Sequence, residues 1–229
     1  GLNRYNKITG LFQNHTANDT QADGLTHSSI WCIVKDNQGT LWLGTYFGGV
    51  NYFNPEYEIY TRYSYSSNEK KGLSNPVVGR TIEDRDGNLW IGTEGGGLNY
   101  YNRRTREFKW YRPQEGRNSI SHNNVKALYY DADKEIIWIG THLGGLNKLD
   151  IRSGHFTHYR MEEGNPNTLP SDIIRDIIPY KSLLIIATQN GVCLFDPANG
   201  QCQQLFKDSK EGKSIKMVAD VTFDSEGTL

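Results

Sequence analysis

Apolar positions along this chain recur with a period of two rather than 3.6. In Glu107-Phe108-Lys109-Trp110-Tyr111 the rings of Phe108 and Trp110 fall on one face of an extended segment. Runs of this kind are rich in Tyr, Trp, Ile and Val. Clusters of Gly, Asp and Asn cut them at intervals of roughly 8–12 residues, the spacing of short strands in an all-β protein. No stretch keeps an apolar stripe at helical spacing over several turns.

One run is apolar almost throughout, as a strand buried on both faces would be. It is Leu41-Trp42-Leu43-Gly44-Thr45, and it returns as Leu89-Trp90-Ile91-Gly92-Thr93 and Ile137-Trp138-Ile139-Gly140-Thr141. A decayed copy is Leu184-Ile185-Ile186-Ala187-Thr188. Trp90 follows Trp42 by 48 residues, Trp138 follows Trp90 by 48, and Ile185 follows Trp138 by 47. A four-stranded propeller blade has a period of about 40–50 residues. The second repeat shows the four expected strands: Val78 to Asp84, the Trp segment, Gly97 to Asn102, and Glu107 to Tyr111. The turn Asp84-Arg85-Asp86-Gly87-Asn88 supplies a glycine for a positive φ.

The predicted fold class is all-β, a β-propeller of four-stranded antiparallel blades. Its repeats span 1–23 (partial), 24–71, 72–119, 120–168, 169–214 and 215–229 (partial). Trp42, Trp90 and Trp138, with Gly44, Gly92 and Gly140, are expected in the blade core. The fourth complete repeat lacks the motif Trp and Gly and shortens its first hairpin to Pro179-Tyr180-Lys181-Ser182. A less regular blade is expected there. Gly1 to Asn6 matches Gly97 to Asn102, and Asp224 to Leu229 matches Asp36 to Leu41. The chain is therefore expected to be a piece of a larger propeller.

Composition narrows the function. There are 25 Lys and Arg against 26 Asp and Glu, so no excess of positive charge points to nucleic acid. No apolar run approaches the roughly 18 residues of a membrane helix. The three cysteines lack the spacing of a zinc site, although Cys193 and Cys202 flank one predicted hairpin. Gly95-Gly96-Gly97 precedes a strand, not a helix, and so is no phosphate cradle. No metal and no cofactor are expected.

The pattern Ile82-Glu83-Asp84-Arg85-Asp86-Gly87-Asn88-Leu89-Trp90-Ile91-Gly92-Thr93, closed by Gly96-Gly97-Leu98-Asn99, resembles the two-component regulator propeller repeat. The resemblance is strong in the first three repeats and weak in the fourth. It implies a seven-bladed propeller forming the periplasmic sensor of a hybrid two-component receptor of the inner membrane, as in Bacteroides. It also implies an oligosaccharide ligand, control of polysaccharide utilisation, and a homodimer in the full-length receptor. Kinase and membrane segments would lie outside these residues.

In a propeller the loops between strands two and three share a face with the connections between blades. After each Gly-Thr the residues differ: Tyr46-Phe47, Glu94-Gly95, His142-Leu143 and Gln189-Asn190. A packed scaffold does not need such varied groups at one position, whereas loops on a rigid frame carry binding residues. Tyr46 and Phe47 are candidates to stack on a sugar ring. Glu94, His142, Gln189 and Asn123 are candidates to bond hydroxyls, and Arg80 and Arg112 to pair with acidic groups. The expected activity is ligand binding without catalysis. The alternatives are a propeller lyase or glycosidase using Glu94 and His142, and a protein-interaction scaffold.

Overall fold

The computed structural model describes residues 1–17, 24–54, 59–206 and 217–229. The end of the fourth complete repeat, 207–214, and the first residues of the last partial one, 215–216, lie outside the described residues. The chain divides into two compact units, Gly1–Tyr111 and Arg112–Leu229.

The first unit opens with the hairpin β1 (Leu2–Tyr5) and β2 (Phe12–His15). Two four-stranded antiparallel sheets follow. One runs β3 (Ile30–Lys35), β4 (Leu41–Thr45), β5 (Val50–Asn54), β6 (Ile59–Tyr63), and the other β7 (Val78–Glu83), β8 (Leu89–Thr93), β9 (Gly97–Asn102), β10 (Glu107–Tyr111). A short 3₁₀ turn, Glu69–Lys71, lies between them. The second unit holds β11 (Val125–Asp131), β12 (Ile136–Thr141), β13 (Leu146–Asp150), β14 (Phe156–Tyr159) and then β15 (Ile174–Tyr180), β16 (Leu183–Thr188), β17 (Gly191–Phe195), β18 (Cys202–Leu205). Strands pair strictly in chain order within each sheet, which is the blade of a β-propeller.

The Trp strand lies second in each blade and is buried on both faces; every residue of β8 and β12 is buried. Within the first unit β3 lies beside β7, and within the second β11 lies beside β15. Trp42 packs with Val78, Leu89, Ile91 and Tyr101 of the following blade. Trp138 packs with Ile174, Ile186 and Phe195 in the same way. Trp90 is 1% exposed and meets the rings of Tyr100 and Tyr111 at 4.7 and 5.7 Å. The motif glycine permits this approach. A Cβ on Gly44 would lie 2.6 Å from Val78 Cγ1, and one on Gly140 would lie 2.5 Å from Ile174 Cγ2. Gly92 is buried on β8 opposite Leu98.

The turns between first and second strands are set by an aspartate. Asp36 Oδ1 accepts from the amides of Gln38 and Thr40, each at 2.9 Å, and Asp84 Oδ1 accepts from Asp86 and Asn88. Asp224 repeats the arrangement with Glu226 and Thr228, although residues 217–229 carry no strand. The fourth blade is four-stranded like the others, with the shortened first turn that its sequence predicts. Ile185 fills the Trp position at 3% exposure, Ala187 is fully buried, and Lys181 closes a two-residue turn at φ 56°. An aliphatic side chain of sufficient volume meets the packing requirement without an indole.

Candidate functional site

The segment after each Trp strand is held by the backbone in the same way in all four blades. The conserved geometry begins with a buried threonine whose hydroxyl donates across the loop: Thr45 to Gly49 O, Thr93 to Gly97 O, Thr141 to Gly145 O and Thr188 to Gly191 O, at 2.8–2.9 Å. The next amide reaches the residue just before the first strand. Tyr46 N donates to Ser29 O, Glu94 N to Val77 O, His142 N to Asn124 O and Gln189 N to Ile173 O, at 2.9–3.0 Å. Tyr46, Glu94, His142 and Gln189 therefore occupy one structural position. Four different side chains hang from the same anchored position, although the fourth loop is one residue shorter.

The connection before each of the first three blades is pinned as well. Asn51, Asn99 and Asn147, all fully buried, accept from the amides of Thr26, Ser74 and Ser121 at 2.8–3.0 Å. Their amide groups donate to the hydroxyls of the same three residues. The loop residues beside them thus stand on a rigid frame.

In the first unit this frame displays an aromatic cluster. Trp31 and Tyr46 stack at 5.4 Å with 15° between their planes, and Phe47 meets Tyr46 edge-on at 4.5 Å. His27 lies 6.5 Å from Tyr46 and 6.4 Å from Phe47. Trp31 is 48% exposed and Phe47 58%. Large rings held in solvent by fixed backbone form a surface suited to the apolar face of a ligand. Trp31 reaches the cluster because β3 carries a bulge: Ile30 pairs with Thr45 and Cys32 with Gly44, so the register shifts at Trp31 and re-aims its ring. The same irregularity falls at Gly79-Arg80 in β7, Lys126 in β11 and Arg175 in β15. Arg80 is half-buried and close enough to Cys32 to oppose the upward push that burial gives its thiol pKa. Glu94 is half-buried in the same unit.

In the second unit the corresponding positions are polar. His142 and His122 approach to 6.4 Å, edge to face. Burial, and next the neighbouring His142, lower the pKa of His122, so it is a neutral ring at pH 7 with Nδ1 accepting from the Asn124 amide at 3.0 Å. His142 Nδ1 is buried with no hydrogen-bond partner. Arg175 donates to Gln189 Oε1 at 2.6 Å, and Arg160 pairs with Asp172 at 3.1 Å. Leu143, next to His142, is 54% exposed at φ 74°, a strained setting for an apolar residue. Asn123 and Arg112 are exposed on the connecting segment.

Of the residues singled out from sequence, Tyr46 and Phe47 come together. Arg80 and Glu94 lie in the same unit as that pair. His142, Gln189, Asn123 and Arg112 belong to the second unit, so Glu94 and His142 stand in separate units. The sequence reading missed Trp31, His27, His122, Lys126 and Arg175. A bulge in a strand without glycine has no sequence signal. Among the described residues no group of His, Cys, Asp or Glu is placed to hold a metal.

The two-component regulator propeller family matches the chain at residues 24–47, 72–95 and 119–142. A comparison with curated proteins gives no match. Among solved structures, the extracellular domain of BT3049 from B. thetaiotaomicron, described as a hybrid two component system, is 26% identical with a TM-score of 0.67. That likeness covers 77% of this chain and 24% of that one. The extracellular domain of BT4673 from the same organism is 20% identical, with a TM-score of 0.60 over 99% of this chain and 37% of its own. PorZ, a surface component of the type-IX secretion system of Porphyromonas gingivalis, is 18% identical with a TM-score of 0.69, over 94% of this chain and 32% of its own. The last two likenesses establish the fold alone. The chain spans about a quarter to somewhat over a third of the length of these structures.

Proposed function

Because the chain carries two-component regulator propeller repeats, we propose that it is part of the extracytoplasmic sensor of a signalling receptor and binds an oligosaccharide on its loop face. The likeness to an extracellular domain described as part of a hybrid two component system supports the sensor role. No described helix is long and apolar enough to cross a membrane. Periplasmic location, dimerisation of the whole receptor and control of polysaccharide utilisation belong to the same reading.

The observation that carries it is the stacked, exposed pair Trp31 and Tyr46 with Phe47 edge-on beside them. Pyranose rings present apolar C–H faces that pack on aromatic planes, and their hydroxyls need polar partners such as Glu94 in the same unit; in the second unit His142, Gln189 and Asn123 offer polar groups of their own. Arg80 and Arg112 add sites for uronate or sulfate groups. The activity is binding, not turnover.

Calorimetry of the chain against a panel of neutral, uronate-bearing and sulfated oligosaccharides tests this. At least one member should give saturable heat, and Trp31→Ala should weaken it at least tenfold with an unchanged thermal midpoint. Heat unaffected by Trp31→Ala, or none from any saccharide, refutes the reading. Release of cleaved product during the titration would favour an enzyme.

A further inference from the structure

On the turn side of the first unit a cavity of about 620 Å³ opens between its two blades. Its walls are Trp42, Tyr52 and Tyr63 from one blade and Tyr101 from the next. Gln38, on the β3–β4 turn, and Arg103 and Arg106, on the β9–β10 turn, stand around it. The loop-face candidates lie at the other ends of these strands.

The cavity offers donors and few acceptors. Tyr63 and Tyr101 share one hydrogen bond between hydroxyls 3.0 Å apart, which leaves one O–H to donate outward. Burial, and then the bond to Tyr101, raise the Tyr63 pKa, so it stays a neutral phenol. Arg103 is committed: it holds Asp36 at 2.6 Å and Glu83 at 3.5 Å, and lies 4.8 Å over the Trp42 ring. Its Nε is buried without a partner. Asp36 is already taken by Arg103 and the Trp42 indole. Arg106 is exposed and pairs with no carboxylate among the described residues.

Arg106 also sits where the backbone favours glycine. Its amide donates to Asn102 O at 2.8 Å, closing the β9–β10 turn. The same bond closes three other described hairpins, from Gly10 to Asn6 O, Gly154 to Asp150 O and Gly200 to Asp196 O. Those glycines have φ 70°, 71° and 76°, and Arg106 has φ 59°. Glycine adopts this conformation freely, whereas a residue with a Cβ does so at a cost. The turn thus fixes the backbone of an exposed arginine beside an aromatic, donor-rich cavity, at a position where three other hairpins carry glycine.

We propose that this cavity is a second ligand site, distinct from the loop face, that takes a small organic oxyanion carried on a ring. The carboxylate or sulfate group meets the Arg106 guanidinium fork, and the ring lies against the tyrosines. The site does not depend on what the loop face binds.

Benzoate and glucuronate serve as probes, with benzyl alcohol, glucose and matched sodium chloride as controls. Both anions should raise the thermal midpoint and change tryptophan fluorescence saturably, and the controls should not. Arg106→Gly should raise the midpoint of the unliganded protein while weakening anion binding at least tenfold. Arg106→Lys, which keeps the charge without the fork, should fall between. Trp31→Ala should leave anion binding intact, which separates this site from the loop face. Equal shifts from chloride, undiminished binding in Arg106→Gly, or no shift with either anion would each overturn the proposal.

Discussion

The Trp42 indole donates to Asp36 Oδ2 at 2.8 Å, tying the core of a blade to the aspartate that shapes its first turn. Trp90 does the same with Asp84 at 3.1 Å. Both pairs are six residues apart. In the third blade one extra residue in the turn separates Asp131 from Trp138 by seven. Asp131 there holds Lys134 instead, and Trp138 Nε1 is buried with no partner. One inserted residue thus keeps the packing and loses the bond.

Replacement of each tryptophan by phenylalanine should separate the two roles. Trp90→Phe and Trp42→Phe keep most of the apolar volume but leave an aspartate oxygen short of a donor, which costs roughly 1–3 kcal/mol. Trp138→Phe removes a donor that is already unsatisfied, so it should show only the packing loss common to all three and cost less than the other two. Urea midpoints followed by circular dichroism give the comparison. Equal losses at all three positions would mean that the indole bond contributes nothing beyond packing.

Asp36 makes stability depend on acid pH. Burial alone would raise its pKa, but the bonds from the Trp42 indole, the Thr40 amide and the Arg103 guanidinium together outweigh burial and hold it below the usual carboxylate range. A depressed folded-state pKa means that the stabilisation is complete above the unfolded value, about 3.9, and is lost as pH falls through the lower folded value. The midpoint difference between wild type and Asp36→Asn should be largest near neutrality and should shrink below about pH 4. A difference independent of pH between 2 and 6 would show that the carboxylate charge plays no part.

Most of the fold was legible because its determinants are local and repeated. The Trp strand announces itself as an unbroken apolar run, and the Asp-x-x-Gly turn marks where it begins. The site was only half legible. Tyr46 and Phe47 stood out because they follow a fixed Gly-Thr. Trp31 reads as an ordinary strand residue, and only the shifted register between Ile30 and Cys32 turns it outward. The fourth blade shows how far the frame tolerates change. Loss of the motif Trp and Gly suggested irregularity, yet Ile185 and Ala187 fill the same space.

The motif glycine should tolerate a methyl group only if its neighbour yields. A Cβ at position 44 meets Val78 Cγ1 at 2.6 Å and Cys32 Sγ at 2.5 Å. Gly44→Ala is expected to lose about 1–3 kcal/mol through overpacking. Val78→Ala creates a cavity and is destabilising by itself. The double variant should lose less than the two single losses combined, because each change relieves the other. Strict additivity in the denaturation free energies would remove close packing as the reason for glycine here.

Leu143 carries the corresponding test on the loop side. An exposed leucine at φ 74° gains little from burial and bears the strain of a left-handed backbone. The same loop position in the second blade is Gly95, at φ 106°. Leu143→Gly should therefore raise the thermal midpoint by relieving about 1 kcal/mol of strain, while Leu143→Ala, which keeps the strain, should not. If the loop face of the second unit contacts ligand, the more stable glycine variant should also bind the saccharide more weakly. A midpoint that falls on glycine substitution would show that Leu143 packs against something that holds it in place, and strain would then have no bearing on function there.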